Sequence, residues 1–292
     1  MQAGWKIGII GGSGLGEIDG FAQQTAQAIS TPWGAPSGPL ICGRIGAIDV
    51  CFLARHGAGH AIAPSEVNYR ANIAALKQAG CTDLLSISAV GSLREELAPG
   101  TFVLVDQFVD RTFRRASSFF GAGLVAHVAL ADPICPRLAG LAAQAARAAG
   151  AHVVQGATYL AMEGPQFSTR AESRLYRQWG CDVIGMTNMP EAKLAREAEL
   201  PYATIAMVTD YDSWRDTETG VDVSQILACM HANAAKARAL IPLFLASLAP
   251  SRAPSPIDTS LDFAVITAPA AQNPEMRARL AWLNPRLFPA MG

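Results

Sequence analysis

Seven short runs of apolar residues recur along the chain, with stretches of helical character between them. The runs are Trp5 to Ile10, Ile48 to Ala54, Leu84 to Ser88, Phe102 to Phe108, Val153 to Leu160, Val183 to Met186 and Tyr202 to Val208. Several of them are apolar on both faces, as strands are when helices cover each side of a sheet. This pattern predicts an α/β fold: a single domain with a central mixed or mostly parallel β-sheet flanked by helices.

Capping residues, prolines and glycines mark the ends of the helices between these strands. The predicted helices run from Ser65 to Ala79, from Asp132 to Gly150, from Thr169 onwards, from Asp222 to Leu248 and from Asn273 onwards. A Pro- and Ser-rich stretch, APSRAPSPIDTS, follows the long helix and is typical of a linker. The chain is therefore predicted to comprise a main domain, residues 1–249, and a C-terminal extension, residues 250–292, with a strand-like run at 263–267 and a short helix.

The charge balance argues against two kinds of partner. The chain has 23 basic and 24 acidic residues and a formal net charge of -1, so it offers no general field for nucleic acid or an anionic membrane. No apolar segment reaches the roughly 20 residues that a membrane-spanning helix needs, and no signal peptide is recognised at the start. We expect a cytoplasmic protein that captures any bound anion in a local pocket.

Cysteine usage agrees with that compartment. The six cysteines are spread out, without a CxxC pair, at Cys42, Cys51, Cys81, Cys135, Cys181 and Cys229. In their apolar surroundings they are predicted to be buried thiols, with no part in disulfides or metal binding.

The first predicted strand ends in a glycine-rich loop, KIGIIGGSGLGEI. A dinucleotide fingerprint needs glycines at fixed offsets, but both possible registers place an acidic residue, Glu17 or Asp19, at the third glycine position. No Gly-Lys-Ser/Thr sequence follows, so a Walker phosphate loop is excluded as well. What remains is a cluster of backbone N–H groups beside the hydroxyl of Ser13, which suits a small anion. A tight turn without a ligand explains the same sequence.

Two further strand ends carry groups that suit an anion. LARHGAGH places Arg55 and His56 directly after a strand, and a guanidinium fork matches the geometry of phosphate oxygens. Metal binding by His56 and His60 is weakly indicated, because no third ligand follows at a fixed spacing. In SISAVGSL, Ser88 and the small Ala89 would let a ligand approach the backbone. A surface arginine with a capping histidine, and a simple turn after a buried strand, are the alternatives.

The segment AMVTDYDSW delivers two acids after an apolar strand. Asp210 and Asp212 are two residues apart, and in an extended chain such residues point to the same side. Two converging carboxyl groups are costly unless they serve a ligand, a metal or a cation. A carboxyl can accept from the exocyclic amine of adenine and, if protonated, donate to the neighbouring ring nitrogen. A loop cap with a solvated acid is the alternative.

Several motifs stand in order over nearly all of residues 5–249 and together resemble a known family. They are GGSGLG, RHGAGH, VNYRANIAALKQAGC, SAVGSLREELAPG, DQFVDRT, MEGPQFSTRAES and MTNMPEAKLAREAELPYATIAMVTDYDSW. The chain closely resembles the purine nucleoside phosphorylase family, in its 5′-methylthioadenosine phosphorylase branch. The resemblance implies a pentosyltransferase of purine and methionine salvage, which cleaves methylthioadenosine with inorganic phosphate into adenine and 5-methylthioribose 1-phosphate.

The resemblance also implies roles for individual residues. The phosphate-binding set would be Ser13, Arg55, His56, Ser88, Ala89 and Thr187. The residues around the nucleoside would be Phe167 at the base, Met186 at the ribose, Asp210 and Asp212 at the edge of adenine, and Ser168 and Val223 near the 5′-methylthio group. His127 would reach the 5′ pocket of a neighbouring subunit, so active sites would lie at subunit interfaces. The resemblance also implies a homotrimer, which is typical of this branch.

The implied chemistry needs no metal, flavin or nicotinamide, because phosphate is a co-substrate. Asp210 would share a proton with purine N7 as the base leaves, for which its carboxyl must be protonated or nearly so near neutral pH. Partial burial and the neighbouring Asp212 would both favour that state.

Four other functions are compatible with parts of the sequence. A phosphorylase for methylthioinosine or other 6-oxopurine nucleosides is disfavoured by the two acids, since such enzymes tend to place asparagine at the base edge. A hydrolytic nucleosidase rests on analogy of fold alone. A nicotinamide-dependent dehydrogenase is disfavoured by the failed fingerprint, and a catalytically silent relative by the full set of polar residues.

Overall fold

The computed structural model describes residues 4–12, 18–215 and 223–289. Its strands are β1 (Lys6–Gly11), β2 (Ala22–Gln27), β3 (Leu40–Ile45), β4 (Ile48–Ala54), β5 (Asp83–Ser92), β6 (Thr101–Leu104), β7 (Gln107–Asp110), β8 (His152–Gln155), β9 (Thr158–Ala161), β10 (Val183–Gly185) and β11 (Tyr202–Asp210). Its helices are α1 (Tyr69–Gln78), α2 (Pro136–Ala148), α3 (Arg170–Gln178), α4 (Asn188–Glu197), α5 (Val223–Ala246) and α6 (Pro274–Leu283). This confirms the predicted α/β class.

All of these strands join one sheet with a branch at its centre. Eight of them follow the order β2-β3-β4-β1-β5-β10-β9-β7, while β11 pairs with β5 and β6, and β8 pairs with β6. β1 is parallel to β4 and β5, and β11 is parallel to β5, whereas β10 is antiparallel to β5. The sheet is therefore mixed, as predicted. Because several parallel strands end at the same edge, the loops after β1, β4, β5 and β11 converge there.

The central strands are buried on both faces, as their apolar sequences require. Ile7, Ile9, Leu84, Leu85 and Ile205 have no exposed surface. The described part of the extension shares this core, because its apolar residues belong to the same cluster. Those residues are Ile257, Leu261, Leu280, Leu283 and Phe288. We keep the boundary after residue 249 as a prediction.

Several element boundaries differ from the predicted ones. The predicted strand 102–108 is two strands, β6 and β7, and the predicted strand 153–160 is likewise β8 and β9, with a break at Gly156. The sequence pattern missed β2, whose residues AQQTAQ are almost all exposed, because an edge strand is held by backbone pairing and needs no apolar pattern. The predicted strand 263–267 is wrong, since only Val265 makes an isolated bridge, to Ala126.

Helix starts were predicted with mixed success. Ser65 does not cap α1, because Asn68 takes that position and its side chain accepts from the backbone N–H of Ala71. The second helix begins at Pro136, four residues after the predicted start at Asp132. The predicted start of α3 at Thr169 is confirmed: Thr169 is the N-cap, and the side chains of Thr169 and Glu172 each bond the other's backbone in a capping box. The start of α6 at Pro274 is also confirmed.

The prediction that no cysteine forms a disulfide is wrong for one pair. Cys42 and Cys51 are bonded across the β3–β4 hairpin. The antiparallel register places the two residues directly opposite each other, with Cα atoms 4.1 Å apart. A spacing of nine residues carries no such signal without the hairpin register. The other four cysteines are free thiols, and Cys229 alone among them is only partly buried.

Candidate active site

One cavity of about 450 Å³ opens at the carboxyl ends of the central strands. Nine of the residues assigned to phosphate or nucleoside line it: Arg55, His56, Ser88, Ala89, Phe167, Met186, Thr187, Asp210 and Asp212. They come from the ends of β4, β5, β10 and β11 and from the loop after β9, and Gly12 joins them from the end of β1. Residues more than 150 positions apart in the sequence are thus brought to one wall by the parallel strands.

Four other predicted residues are not among those that line the cavity. Ser13 lies outside the described residues, and the side chain of Val223, the first residue of α5, is outside them too. Ser168 is buried, with its hydroxyl 3.8 Å from the sulfur of Met162. His127 is exposed, and its backbone N–H donates to the carbonyl of Ala264 at 2.8 Å.

Arg55 is only 2 % exposed and is tied into the protein by a buried carboxylate. Its Nε and Nη2 donate to the two oxygens of Glu191 at 2.8 and 3.0 Å. Nη2 also donates to Ser86 Oγ at 2.6 Å, and Nη1 donates to the carbonyl of Ile87 at 3.2 Å. Burial alone would lower the pKa of Arg55, but Glu191 more than reverses this and raises it. Four of the five N–H donors of a guanidinium are used in this way, so one on Nη1 remains for a ligand in the cavity.

His56 follows Arg55 and has one nitrogen fixed by the backbone. Its Nδ1 lies 2.8 Å from the carbonyl of Ile62, so Nδ1 carries a proton and Nε2 is left for the cavity. Its ring stacks on that of His60, with centroids 4.1 Å apart. Burial and then the charge of Arg55 lower the pKa of His56 to about 4. The ring is therefore neutral at neutral pH when the cavity holds no anion.

This burial predicts a pH dependence of stability. An unfolded His56 has a pKa of 6.5 and a folded one about 4, so between these values the unfolded chain binds more protons. The free energy of unfolding should therefore fall as the pH drops from 6.5 towards 4, by about 2 to 3 kcal/mol from this residue. Denaturant unfolding of the protein and of His56→Asn, near neutral pH and at about pH 4, measures the difference. Equal losses in the two proteins would show that the folded ring is not held neutral.

Two hydroxyl groups flank this basic pair. Ser88 Oγ donates to Asn188 Oδ1 at 2.8 Å, which fixes its rotamer and leaves its lone pairs to the cavity. Thr187 is 7 % exposed, and its buried Oγ1 has no hydrogen-bond partner within the described part of the chain. It precedes α4 but does not cap it. The Tyr159 hydroxyl lies beside Thr187 and accepts from its backbone N–H at 3.5 Å, so the Thr187 hydroxyl can bond either Tyr159 or a ligand in the cavity.

The two acids lie at the end of β11, but the turn after the strand, not an extended chain, brings them together. A β-bulge between Val208 and Asp210 redirects the strand end, and Asp212 has a positive φ of 50°. Asp210 accepts from Thr209 Oγ1 at 2.7 Å and from the backbone N–H of Asp212 at 2.8 Å. Gly91 of β5 faces them, and a Cβ there would lie 3.0 Å from Asp210 Oδ1.

Asp212 is the more buried of the two, at 5 % exposure. Burial raises the pKa of its carboxyl and the charge of Asp210 adds to this, while the hydroxyl of Ser173 opposes it. Its Oδ2 has no hydrogen-bond partner among residues 4–12, 18–215 and 223–289. A ligand that donates a hydrogen bond would satisfy this oxygen, and so would the neighbouring Ser173 hydroxyl, which is itself unpaired.

Apart from Val223, no residue of α5 was predicted to take part in the site, yet this helix contributes a wall of the cavity. Five residues on one face of this helix line the cavity: Ile226, Leu227, Met230, His231 and Ala234. Their spacing of three and four residues fits the buried face of a helix and a cavity wall equally well, so the sequence pattern does not distinguish the two. Met162, Ile184 and Met207 add further apolar surface, so the cavity has an apolar body with polar groups at defined points.

The described residues were searched for metal-binding clusters and for membrane-spanning helices. Among them, no group of three or more His, Cys, Asp or Glu side chains is placed to hold a metal ion. None of the helices in these ranges combines the length and apolarity that a membrane crossing requires.

Comparison with known proteins identifies the family. The model of the phosphorylase superfamily matches residues 6–246. The chain belongs to this superfamily. An S-methyl-5′-thioadenosine phosphorylase from Cereibacter sphaeroides is 57 % identical over 276 residues, which cover 94 % of this chain and 95 % of the relative. Within the phosphorylase superfamily, the chain therefore belongs to the methylthioadenosine phosphorylase branch.

Solved structures of this superfamily agree. A methylthioadenosine phosphorylase from an Antarctic soil metagenomic library superposes with a TM-score of 0.91 at 46 % identity, covering 97 % of this chain and 99 % of the other. A variant of the adenosine/methylthioadenosine phosphorylase from Schistosoma mansoni, in complex with methylthioadenosine, gives 0.78 at 38 % identity, covering 83 % and 91 %.

Proposed function

We propose that the protein is an S-methyl-5′-thioadenosine phosphorylase, which converts methylthioadenosine and inorganic phosphate into adenine and 5-methylthioribose 1-phosphate. One observation carries this proposal: a single cavity holds an anion-binding group at Ser88 of β5, and two carboxyl groups, Asp210 and Asp212, that face Gly91 of the same strand. Ser88 and Gly91 are three residues apart on that strand, or about 10 Å between Cα atoms. This separation leaves room for a ribosyl ring between phosphate and base. The relatives named above support the same substrate.

The proposed phosphate site consists of Ser13, Arg55, His56, Ser88, Ala89 and Thr187. Its support is the remaining N–H of Arg55 and the unpaired hydroxyl of Thr187. The neutral His56 can donate from Nε2 only after it takes up a proton, or it can accept the proton of monohydrogen phosphate. Phosphate binding is thus expected to raise the pKa of His56, since a dianion favours the charged ring.

The proposed reaction separates charge along the cavity. The C1′–N9 bond breaks with its electron pair going to the purine, and a phosphate oxygen forms the new bond to C1′. The phosphate, oriented by its site, stabilises the positive ribosyl ring before it attacks. Asp210 gives a proton to N7 as the base leaves, and Asp212 accepts from the base edge. No further cofactor is needed.

Other parts of the proposal concern the nucleoside and the assembly. Met186 packs on the ribose, Phe167 on the base, and Ser168 and Val223 near the 5′-methylthio group. Phe167 and Leu227 line the cavity yet are 46 % and 51 % exposed, which supports cover by another subunit. We propose a cytoplasmic homotrimer of the purine and methionine salvage pathways, in which His127 of each subunit reaches a neighbouring site.

Phosphate dependence tests the proposed reaction. Purified protein is incubated with methylthioadenosine, adenosine and inosine, each with and without phosphate, and the products are identified by chromatography and mass spectrometry. Adenine and 5-methylthioribose 1-phosphate are expected from methylthioadenosine, and only when phosphate is present. Free methylthioribose in phosphate-free buffer would instead identify a hydrolase. Faster cleavage of inosine would identify a 6-oxopurine enzyme.

A further inference from the structure

Two neighbouring strands of the sheet separate just where the cavity begins. β9 and β10 are paired in parallel up to Ala161 and Gly185. The last backbone bond between them runs from the N–H of Met162 to the carbonyl of Gly185 at 2.9 Å, and each chain then continues into the cavity wall, with Met162 after β9 and Met186 after β10. Backbone carbonyls in such a buried place still need hydrogen-bond donors, although the sheet no longer supplies them.

Arg115 supplies those donors from a loop of residues 111–120 that is far away in the sequence. On the β10 side, its Nη1 donates to the carbonyls of Met186 and Met189 at 2.5 and 2.7 Å. On the β9 side, its Nη2 donates to the carbonyls of Glu163 and Met162 at 2.8 and 3.4 Å. One planar guanidinium thus bridges the two strand ends after their own pairing has stopped.

The protein holds this guanidinium firmly in place. The side chain of Arg115 is 1 % exposed, and its Nε lies 3.4 Å from Oε1 of Glu163. The other carboxylate oxygen of Glu163 accepts the backbone N–H groups of Phe113 and Arg114 at 2.7 and 3.2 Å. The Tyr69 hydroxyl lies 3.1 Å from Nη1, and the Tyr69 ring centroid lies 5.3 Å from Cζ. Arg115 itself does not line the cavity.

We propose that Arg115 is a positioning residue for the phosphorolysis: it fixes the strand end that carries Met186 and Thr187 relative to the strand end that carries Met162 and the loop to Phe167. The proposal rests on the proposed function. Arg115 would thereby hold Met186 and Thr187, the ribose and phosphate contacts, at the right distance from Phe167, the base contact. Close packing makes this placement sensitive, because a Cβ at Gly164 would lie 2.5 Å from the Met186 sulfur.

A matched pair of variants separates positioning from stability. Arg115→Met keeps a long apolar side chain and removes every donor. Arg252→Met does the same to another largely buried arginine, which pairs with Asp258 within the C-terminal extension, ties the extension to Asp83 and does not line the cavity. Both variants should lower the melting temperature. At a temperature where both are folded by circular dichroism, only Arg115→Met should lose kcat, by about 100-fold, because small misplacements of reacting groups cost about that much.

A conservative variant and a structural readout complete the test. Arg115→Lys places three donors at one point and cannot span both strand ends, so it should recover only part of kcat. Hydrogen exchange should rise in residues 162–168 and 185–190 of Arg115→Met but not of Arg252→Met, whether or not the protein turns over methylthioadenosine. If the unmodified protein released no adenine from methylthioadenosine, the proposed function would be overturned. Hydrogen exchange in the two segments would then be the only test of the role of Arg115. Unchanged exchange in both segments, or a kcat within about threefold of that of Arg252→Met, would overturn the positioning role.

Discussion

Replacing Asp210 by asparagine should lower kcat for methylthioadenosine phosphorolysis by about 100- to 10,000-fold, the usual contribution of a positioned proton donor. The amide is nearly the same size as the carboxyl. Its oxygen can still accept a hydrogen bond from Thr209 Oγ1 or from the backbone N–H of Asp212, both of which donate to the carboxyl of Asp210. The lost property is the transferable proton, without which the purine leaves as an unstabilised anion.

The same substitution should change substrate preference. An amide N–H can donate to the oxygen of a 6-oxopurine, where a carboxylate presents one acceptor to another. The ratio of inosine to methylthioadenosine cleavage is therefore expected to rise in Asp210→Asn. Asp106→Asn, at an exposed position outside the cavity, is the control and should leave both rates unchanged. A ratio that did not move in Asp210→Asn would remove Asp210 from the base edge.

The sequence was sufficient to predict which polar residues at the ends of strands would line the site, because each strand end can be recognised from its own local pattern. The sheet class followed from apolar runs, and the positions of Arg55, Ser88 and Asp210 followed from the rule that parallel strands deliver ligand-binding groups to one edge. Their convergence on a single cavity confirms that reasoning. Their individual roles in catalysis remain predictions.

What the sequence could not provide are contacts between distant segments. Arg115 lies in a loop, and the residues that it bonds are between 46 and 74 positions away, so no local pattern marks it. The partner of Arg55 is 136 positions away, and without Glu191 the guanidinium looks like a free phosphate ligand when most of its donors are already used. The disulfide depends in the same way on the register of a hairpin whose first strand, β3, was not predicted.

Glu191→Gln should be the most destabilising single change in the site. Glu191 is 1 % exposed and accepts from Arg55, from Ser86 Oγ at 2.7 Å and from the Tyr202 hydroxyl at 2.8 Å. A glutamine would turn an NH₂ group towards some of these donors and leave the buried guanidinium without a counter-charge. Removing one partner of a buried ion pair costs about 3–5 kcal/mol. Denaturant unfolding of the two proteins measures this loss directly.

An exposed ion pair provides a control that separates the cost of losing a buried pair from the cost of losing an ion pair in general. The pair Arg44–Asp49 is separated by 3.3 Å, but its side chains are 50 % and 56 % exposed. Asp49→Asn should therefore cost less than about 1 kcal/mol, since water screens exposed pairs. If Glu191→Gln cost no more than this control, the buried network would not be stabilising the fold.

Added phosphate should restore part of the thermal stability that the Glu191→Gln variant loses. Such a recovery would link the buried network of Arg55 and Glu191 to the phosphate site. Once its carboxylate partner is gone, the charge of Arg55 remains buried beside the cavity, where a bound phosphate dianion can replace the lost counter-charge. Anything that binds the folded state more tightly raises its stability further. Added phosphate is thus expected to raise the melting temperature of Glu191→Gln more than that of the unmodified protein, whereas Asp49→Asn should respond like the unmodified protein. Equal responses in all three would mean that Arg55 does not contact the phosphate, and the anion site would then have to lie elsewhere in the cavity.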